Sequence, residues 1–211
     1  MLLHLLKKDF LIVKRYAYIL MGICIAIPLV LVYLDSTANF LIFLWMTLFS
    51  QLLFLQYILM TESKYNRATL LLCAAPYPRA LQVAAKYLLF LLAFIYCYLV
   101  YCALSLLLPR IQPLTLSDTL CVLFTSCLLC GIYLPLYYRF GFAKTRILTI
   151  IFVYAICFGI PLLNKYGILP EYNWFDSMDG GRQYILLAAA GVVWLFSLLL
   201  SIKIYNQKDL A

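Results

Sequence analysis

The residues able to do chemistry are few, and their spacing argues against most of it. Eight cysteines are present: Cys24, Cys73, Cys97, Cys102, Cys121, Cys127, Cys130 and Cys157. Cys127-Leu128-Leu129-Cys130 has the C-x-x-C spacing of metal and redox sites, but no second pair accompanies it and it lies in an apolar run. In such surroundings cysteine packs as a small hydrophobe. His4 is the single histidine, so it cannot be half of a two-histidine metal site, and no metal is expected. Gly141-Phe142-Ala143-Lys144-Thr145 resembles the end of a phosphate loop. That loop requires G-x-x-x-x-G-K-[ST], and here Ala143 stands at the second glycine and Tyr138 at the first. No ATP-binding motif and no catalytic residue is therefore read in this chain.

The elements that carry these residues follow from composition. Of 211 residues, 67% are hydrophobic and 11% charged, against roughly 45–50% and about 25% in soluble domains. Charged residues divide the sequence into six charge-free stretches: 16–34, 36–61, 87–109, 119–138, 147–164 and 183–202. Their lengths are 19, 26, 23, 20, 18 and 20 residues. Roughly 20 apolar residues in a helix rising about 1.5 Å per residue cross a hydrocarbon core of about 30 Å. Runs such as Leu88-Leu89-Phe90-Leu91-Leu92 lack the alternation of barrel strands. The expected fold is an all-α integral membrane protein: residues 1–211 as a single domain of six transmembrane helices. Ser36-Thr37-Ala38 mimics a signal cleavage site, but the preceding apolar run exceeds the roughly 7–15 residues of a signal h-region. A span, not a leader, is expected there.

The formal net charge is +8, but the basic residues flank membrane stretches instead of forming a polar surface, so no nucleic-acid partner is expected. With the N-terminus placed in the cytoplasm, 13 of the 16 lysines and arginines fall on the cytoplasmic side, and only Arg110, Lys165 and Arg182 fall outside. Excess Lys and Arg in short cytoplasmic loops is the usual orientation signal. The expected location is the cell membrane, multi-pass, with both termini inside and the lipid bilayer as solvent.

Residues 1–15 read as an amphipathic helix, with Leu3, Leu6, Phe10 and Val13 at helical spacing. It lies in the headgroup plane or serves as a simple positive-inside anchor. The cytoplasmic segment 62–86 reads as two short helices around the corner Pro76-Tyr77-Pro78-Arg79. It is a docking surface or a folding necessity. The outer loop 164–182, with Tyr172, Trp174 and Phe175 among Glu171, Asp176 and Asp179, is an interfacial cap or an outer gate.

No charged side chain falls inside a charge-free stretch, which argues against ion-driven transport and against intramembrane proteolysis. Neutral polar residues do lie there: Thr47, Ser50, Gln51 and Gln56 in the second stretch, Tyr98 and Tyr101 in the third, Ser197 and Ser201 in the sixth. Such groups join helices by hydrogen bonds or line a pathway. The 18 tyrosines and 14 phenylalanines give aromatic walls that suit an amphipathic cargo.

Six spans, cytoplasmic termini, a basic amphipathic N-terminal helix and a structured loop after the second span resemble the ABC-2-type permeases of ATP-binding-cassette (ABC) exporters. Glu62, Lys64 and Arg67 match the acidic-basic helix of the small-permease branch. Ala75-Pro76-Tyr77-Pro78-Arg79 occupies the Leu-Pro-x-Ser-Arg-like corner, with Ala75 for the leucine and Pro78 for the serine, and Lys86-Tyr87 enters the third span. Within the family the chain is similar to the phenol-soluble modulin exporter permeases of Gram-positive bacteria.

The resemblance implies a type V-like exporter half. Residues 1–15 would be the elbow helix. Glu62, Ser63, Lys64, Tyr65 and Arg67 would form the coupling helix seated on an ABC ATPase, with Arg79 and Lys86 anchoring the loop. Two ATPase subunits would bind ATP and Mg, leaving this chain without a cofactor of its own. A second copy or a sister permease would complete the membrane unit. Amphipathic peptides would move along Thr47, Gln51, Gln56, Tyr98 and Tyr101. A non-transporting membrane scaffold or immunity protein that binds a toxic peptide is the alternative reading of a chain with no active site.

Overall fold

The computed structural model describes residues 22–30, 39–64, 78–108, 111, 113–149, 151 and 180–207. All the regular structure among them is helical. Residues 22–30 form α1 and Asn39–Lys64 form α2. Arg79–Leu107 is α3, Leu116–Phe140 is α4, residues 142–149 form α5, and Gly180–Gln207 is α6. Four of these, α2, α3, α4 and α6, are long and apolar enough to cross a membrane. With 26, 29, 25 and 28 residues, they outreach the roughly 20 residues a bilayer core demands. The α1 and α5 segments fall in the first and, in part, the fifth charge-free stretch.

Local chemistry sets the helix ends. Pro78, extended at φ −61° and ψ 134°, precedes the first turn of α3 and accepts at its carbonyl from Leu81 N at 2.9 Å. Thr115 opens α4 with a capping box: its Oγ1 accepts from Asp118 N at 3.2 Å, and the Asp118 carboxylate accepts from Thr115 N at 3.4 Å. Gly141 closes α4 at φ 80°, a left-handed value that glycine adopts without a Cβ penalty. Its N–H returns to Tyr137 O at 2.9 Å.

Side-chain pairs give the helix directions. Gln183 meets Ser117, Ser197 meets Gly131, and Tyr205 meets Tyr138. Both partners advance together, so α4 and α6 run parallel, and they form the most extensive helix pair of the bundle. α5 doubles back along α4, where Leu148 and Thr149 share a small apolar cavity with Leu129, Ile132, Tyr133 and Leu136. α3 runs against α6, since Gln82 reaches Tyr205 while Tyr87 reaches Ser197. α2 and α3 are also antiparallel, paired at Glu62–Lys86 and at Phe43–Tyr101. The C-terminal ends of α2, α4 and α6 therefore gather with the N-terminal end of α3.

Two buried clusters fill the bundle. One holds Cys24, Phe43, Met46, Phe94, Cys97, Tyr101 and Val122. The other, toward the Glu62–Lys86 end, holds Leu59, Val83, Tyr87, Phe90, Cys130, Tyr133, Leu134 and Tyr138. α2 is the most enclosed helix and α6 the least. The outer faces are apolar, with Leu99, Leu106, Ile185, Phe196 and Leu199 exposed, as a bilayer solvent requires.

Candidate functional site

The residues expected at the coupling loop fall into two groups. Glu62, Ser63 and Lys64 form the last turn of α2, and Arg79 opens α3. Tyr65 and Arg67 lie outside the described residues, as do residues 1–15, expected as an amphipathic helix, and most of the segments 62–86 and 164–182. Ser63 Oγ donates to Met60 O at 2.8 Å, tying that last turn to its own helix.

Lys86 is the most informative of the group. It lies in the second turn of α3, is 8% exposed, and donates from Nζ to the Glu62 carboxylate of α2. Its ammonium also stands 5.2 Å from the ring centre of Tyr137 and 5.3 Å from that of Tyr138, both on α4. Such distances are within cation–π range. Tyr138 packs at 5.1 Å against Tyr205 of α6, and the Tyr205 hydroxyl donates to Gln82 Oε1 of α3 at 3.1 Å. A ring of contacts therefore joins α2, α3, α4 and α6 at one end of the bundle. Glu62 and Lys86 flank the charge-free stretches in the sequence. The helices outrun those stretches, so both charges fall within apolar helical spans.

Basic residues crowd this end. Among the described residues Lys64, Arg79, Lys86, Arg139, Lys144, Arg146 and Lys203 belong to it, whereas Arg182 belongs to the other. Arg139, Lys144, Arg146 and Lys203 are exposed.

The five residues expected along a pathway are dispersed. Thr47 is buried and donates to Phe43 O at 2.8 Å on its own helix, so its hydroxyl is satisfied internally. Tyr101 is buried with its ring 5.2 Å from Phe43. Tyr98 is 36% exposed on the flank of α3, still 6.3 Å from the same Phe43 ring. Gln56 is half-buried. Gln51 differs from all of these. It is 1% exposed, and among the described residues neither its Oε1 nor its Nε2 has a hydrogen-bond partner. An orphaned buried amide costs about 1–3 kcal/mol.

The other polar residues of the spans join helices. Ser50 Oγ lies 3.1 Å from Cys24 Sγ, which is 3.9 Å from Cys97 Sγ. Ser197 Oγ donates to Gly131 O at 2.8 Å and lies 2.6 Å from the Tyr87 hydroxyl, which is 2.8 Å from Ser201 Oγ. Each hydroxyl has one proton. Ser197 spends its proton on Gly131, so Tyr87 donates to Ser197 and Ser201 donates to Tyr87. The serines' four-residue spacing already placed them on one helical face; their partner Tyr87 had no such local signal.

The structure thus defines a class: an all-helical, multi-pass membrane protein with a closed polar junction at one end and no enzyme-like constellation among its described residues. The family model for ABC-2 family transporter proteins matches residues 4–206, and the chain belongs to that family. It is a permease component of an ABC transporter, and its ATPase lies in a separate subunit. Neither the curated proteins nor the solved structures yielded a match.

Proposed function

We propose that this permease exports amphipathic peptides, of the phenol-soluble-modulin or antimicrobial kind, from the cytoplasm. The Glu62–Lys86 end faces the cytoplasm in this reading, as its excess of basic residues favours. Two ABC ATPase subunits dock beneath a pair of permeases, either two copies of this chain or this chain with a sister. Ser63, Lys64, Tyr65 and Arg67 touch the ATPase. Glu62, whose carboxylate is held by Lys86, fixes the stem that presents them, and Arg79 with Lys86 anchors the return.

Gln51 is the observation that carries the cargo assignment. A neutral amide whose donor and acceptor are unpaired among the described residues complements a peptide bond, and the Phe and Tyr side chains along α2 and α3 suit apolar side chains. Thr47, Gln56, Tyr98 and Tyr101, dispersed over α2 and α3, are further cargo contacts in this reading. A wall that bonded a small ion would need charge instead.

The test is reconstitution with the ABC ATPase encoded nearest to this chain, in inside-out proteoliposomes, with a fluorescein-labelled amphipathic helical peptide as probe. ATP-dependent uptake that falls roughly tenfold in Gln51→Leu, the equivalent of about 1.4 kcal/mol, is the expected result. Peptide binding without ATP-dependent uptake, in a protein that needs no ATPase for its cellular effect, would give the scaffold or immunity reading its place.

A further inference from the structure

We infer that the recess between α4 and α5 binds part of one acyl chain, with its glycerol ester, of an anionic phospholipid from the leaflet in which this end of the bundle lies. Leu129, Ile132, Tyr133 and Leu136 line it from α4, at positions i, i+3, i+4 and i+7 of one helical face. The groove they make is about 10 Å long, and Leu148 and Thr149 of α5 form its other wall. Ile132 and Leu148 are exposed, so the recess opens outward, where a bilayer presents hydrocarbon instead of water. Its volume of about 40 Å³ is that of a few water-sized groups. That is room for a stretch of chain and too little for a headgroup.

Two further observations define the ligand. Tyr133 is 3% exposed, and its hydroxyl has no hydrogen-bond partner among the described residues. Thr149, on the opposite wall, spends its proton on Thr145 O at 2.8 Å. A buried hydroxyl without a partner is costly in an apolar medium. Hydrocarbon alone would leave it so, whereas an ester carbonyl accepts its proton. Charge lies toward the α4–α5 connection. Arg146 stands about one turn nearer to it than Thr149 and is close enough to act electrostatically on the Tyr133 side chain. Arg139, Lys144 and Arg146 are all exposed, and residues 129–149 contain no acid. A phosphate beside the ester therefore meets cations and no competing carboxylate. A zwitterionic lipid would bring its own ammonium to the same cations.

The experiment uses the full-length chain in phosphatidylcholine vesicles with a trace of phosphatidylglycerol or phosphatidylcholine probe, each carrying the same diazirine-bearing acyl chain. After irradiation, labelled residues are mapped by mass spectrometry of the digested protein. In the wild type, the phosphatidylglycerol probe is expected to label residues 129–149 severalfold more than the phosphatidylcholine probe, and unlabelled phosphatidylglycerol should compete it away. Tyr133→Phe should lower that labelling by roughly threefold to tenfold, the worth of one hydrogen bond. Arg146→Gln should lower it severalfold, whereas Lys203→Gln, at an exposed cation on α6, should leave it unchanged. Equal labelling by the two probes, or labelling insensitive to either Tyr133→Phe or Arg146→Gln, would overturn the site and leave an ordinary lipid-facing surface. Residues 129–149 protected from both probes in a dimer but labelled in the monomer would assign the recess to a second copy of this chain, and would overturn it equally.

Discussion

Ser197 of α6 gives its proton to the carbonyl of Gly131 in α4, at 2.8 Å, at the one point where α4 cannot supply a donor itself. Pro135 is four residues on and has no N–H to return to that carbonyl. In a bilayer an unpaired carbonyl has no water to turn to, and a neighbouring hydroxyl is the usual remedy. The proline in α4 and the serine in α6 are two halves of one solution.

That relationship can be measured. Ser197→Ala is expected to destabilise the detergent-solubilised protein by about 1–3 kcal/mol, because it strands the carbonyl. Pro135→Ala returns an N–H to α4. In the double variant the penalty of Ser197→Ala should therefore shrink by about 1 kcal/mol, as a thermal or denaturant double-mutant cycle would record. The remainder belongs to Tyr87, which also loses its acceptor. Strict additivity would show that the hydroxyl does not serve the carbonyl.

Gly131 sets how closely the parallel pair can approach. A Cβ there would meet Ser197 Cβ and Val193 Cγ1 at 3.5 Å, ordinary van der Waals contact. Gly131→Ala should leave the thermal midpoint unchanged or raise it, since alanine is the better helix former by about 1 kcal/mol. Gly131→Leu should lower stability by about 1–3 kcal/mol through overpacking.

Gln51 separates stability from use. Replacing an amide that has no partner among the described residues by leucine removes a buried unsatisfied group, so Gln51→Leu should raise the thermal midpoint by the equivalent of about 1 kcal/mol or more. The same substitution should reduce ATP-dependent peptide transport. A variant that is both less stable and unchanged in transport would place Gln51 among the packing residues.

Thr115→Ala removes the capping box that opens α4. The expected cost is about 1 kcal/mol, with faster amide exchange confined to the first turn after Thr115. Asp118→Asn should cost less, because an amide oxygen can still accept from Thr115 N.

The long helices were legible because charge punctuates the sequence. Stretches 36–61, 87–109, 119–138 and 183–202 correspond to α2, α3, α4 and α6. The helices nevertheless run beyond them: α3 begins at Arg79, well before Tyr87. A charge marks the edge of hydrocarbon, whereas backbone hydrogen bonding continues past it. Thr115 and Asp118 at capping-box spacing, and Gly141 after Arg139, mark helix ends that local sequence can specify.

The junction was less legible. Glu62 and Lys86 are 24 residues apart, and Tyr87 and Ser197 are 110 apart. In a soluble helix, the apolar stripe tells which face is buried. Here both the lipid and the bundle interior are apolar, so the sequence does not distinguish Tyr98, on the flank, from Tyr101, inside. Gln51 stood out as a polar residue in an apolar run, but its lack of a partner depends on every helix packed around it.

The C-terminal end of α4 also has an electrostatic consequence. A helix C-terminus carries roughly half a negative charge from its unpaired carbonyls, and α4 ends at the Gly141 cap. Arg139 in the last turn of α4 supplies a countercharge there. A basic residue of the kind that favours one side of a bilayer thus also quiets the dipole of the helix it terminates.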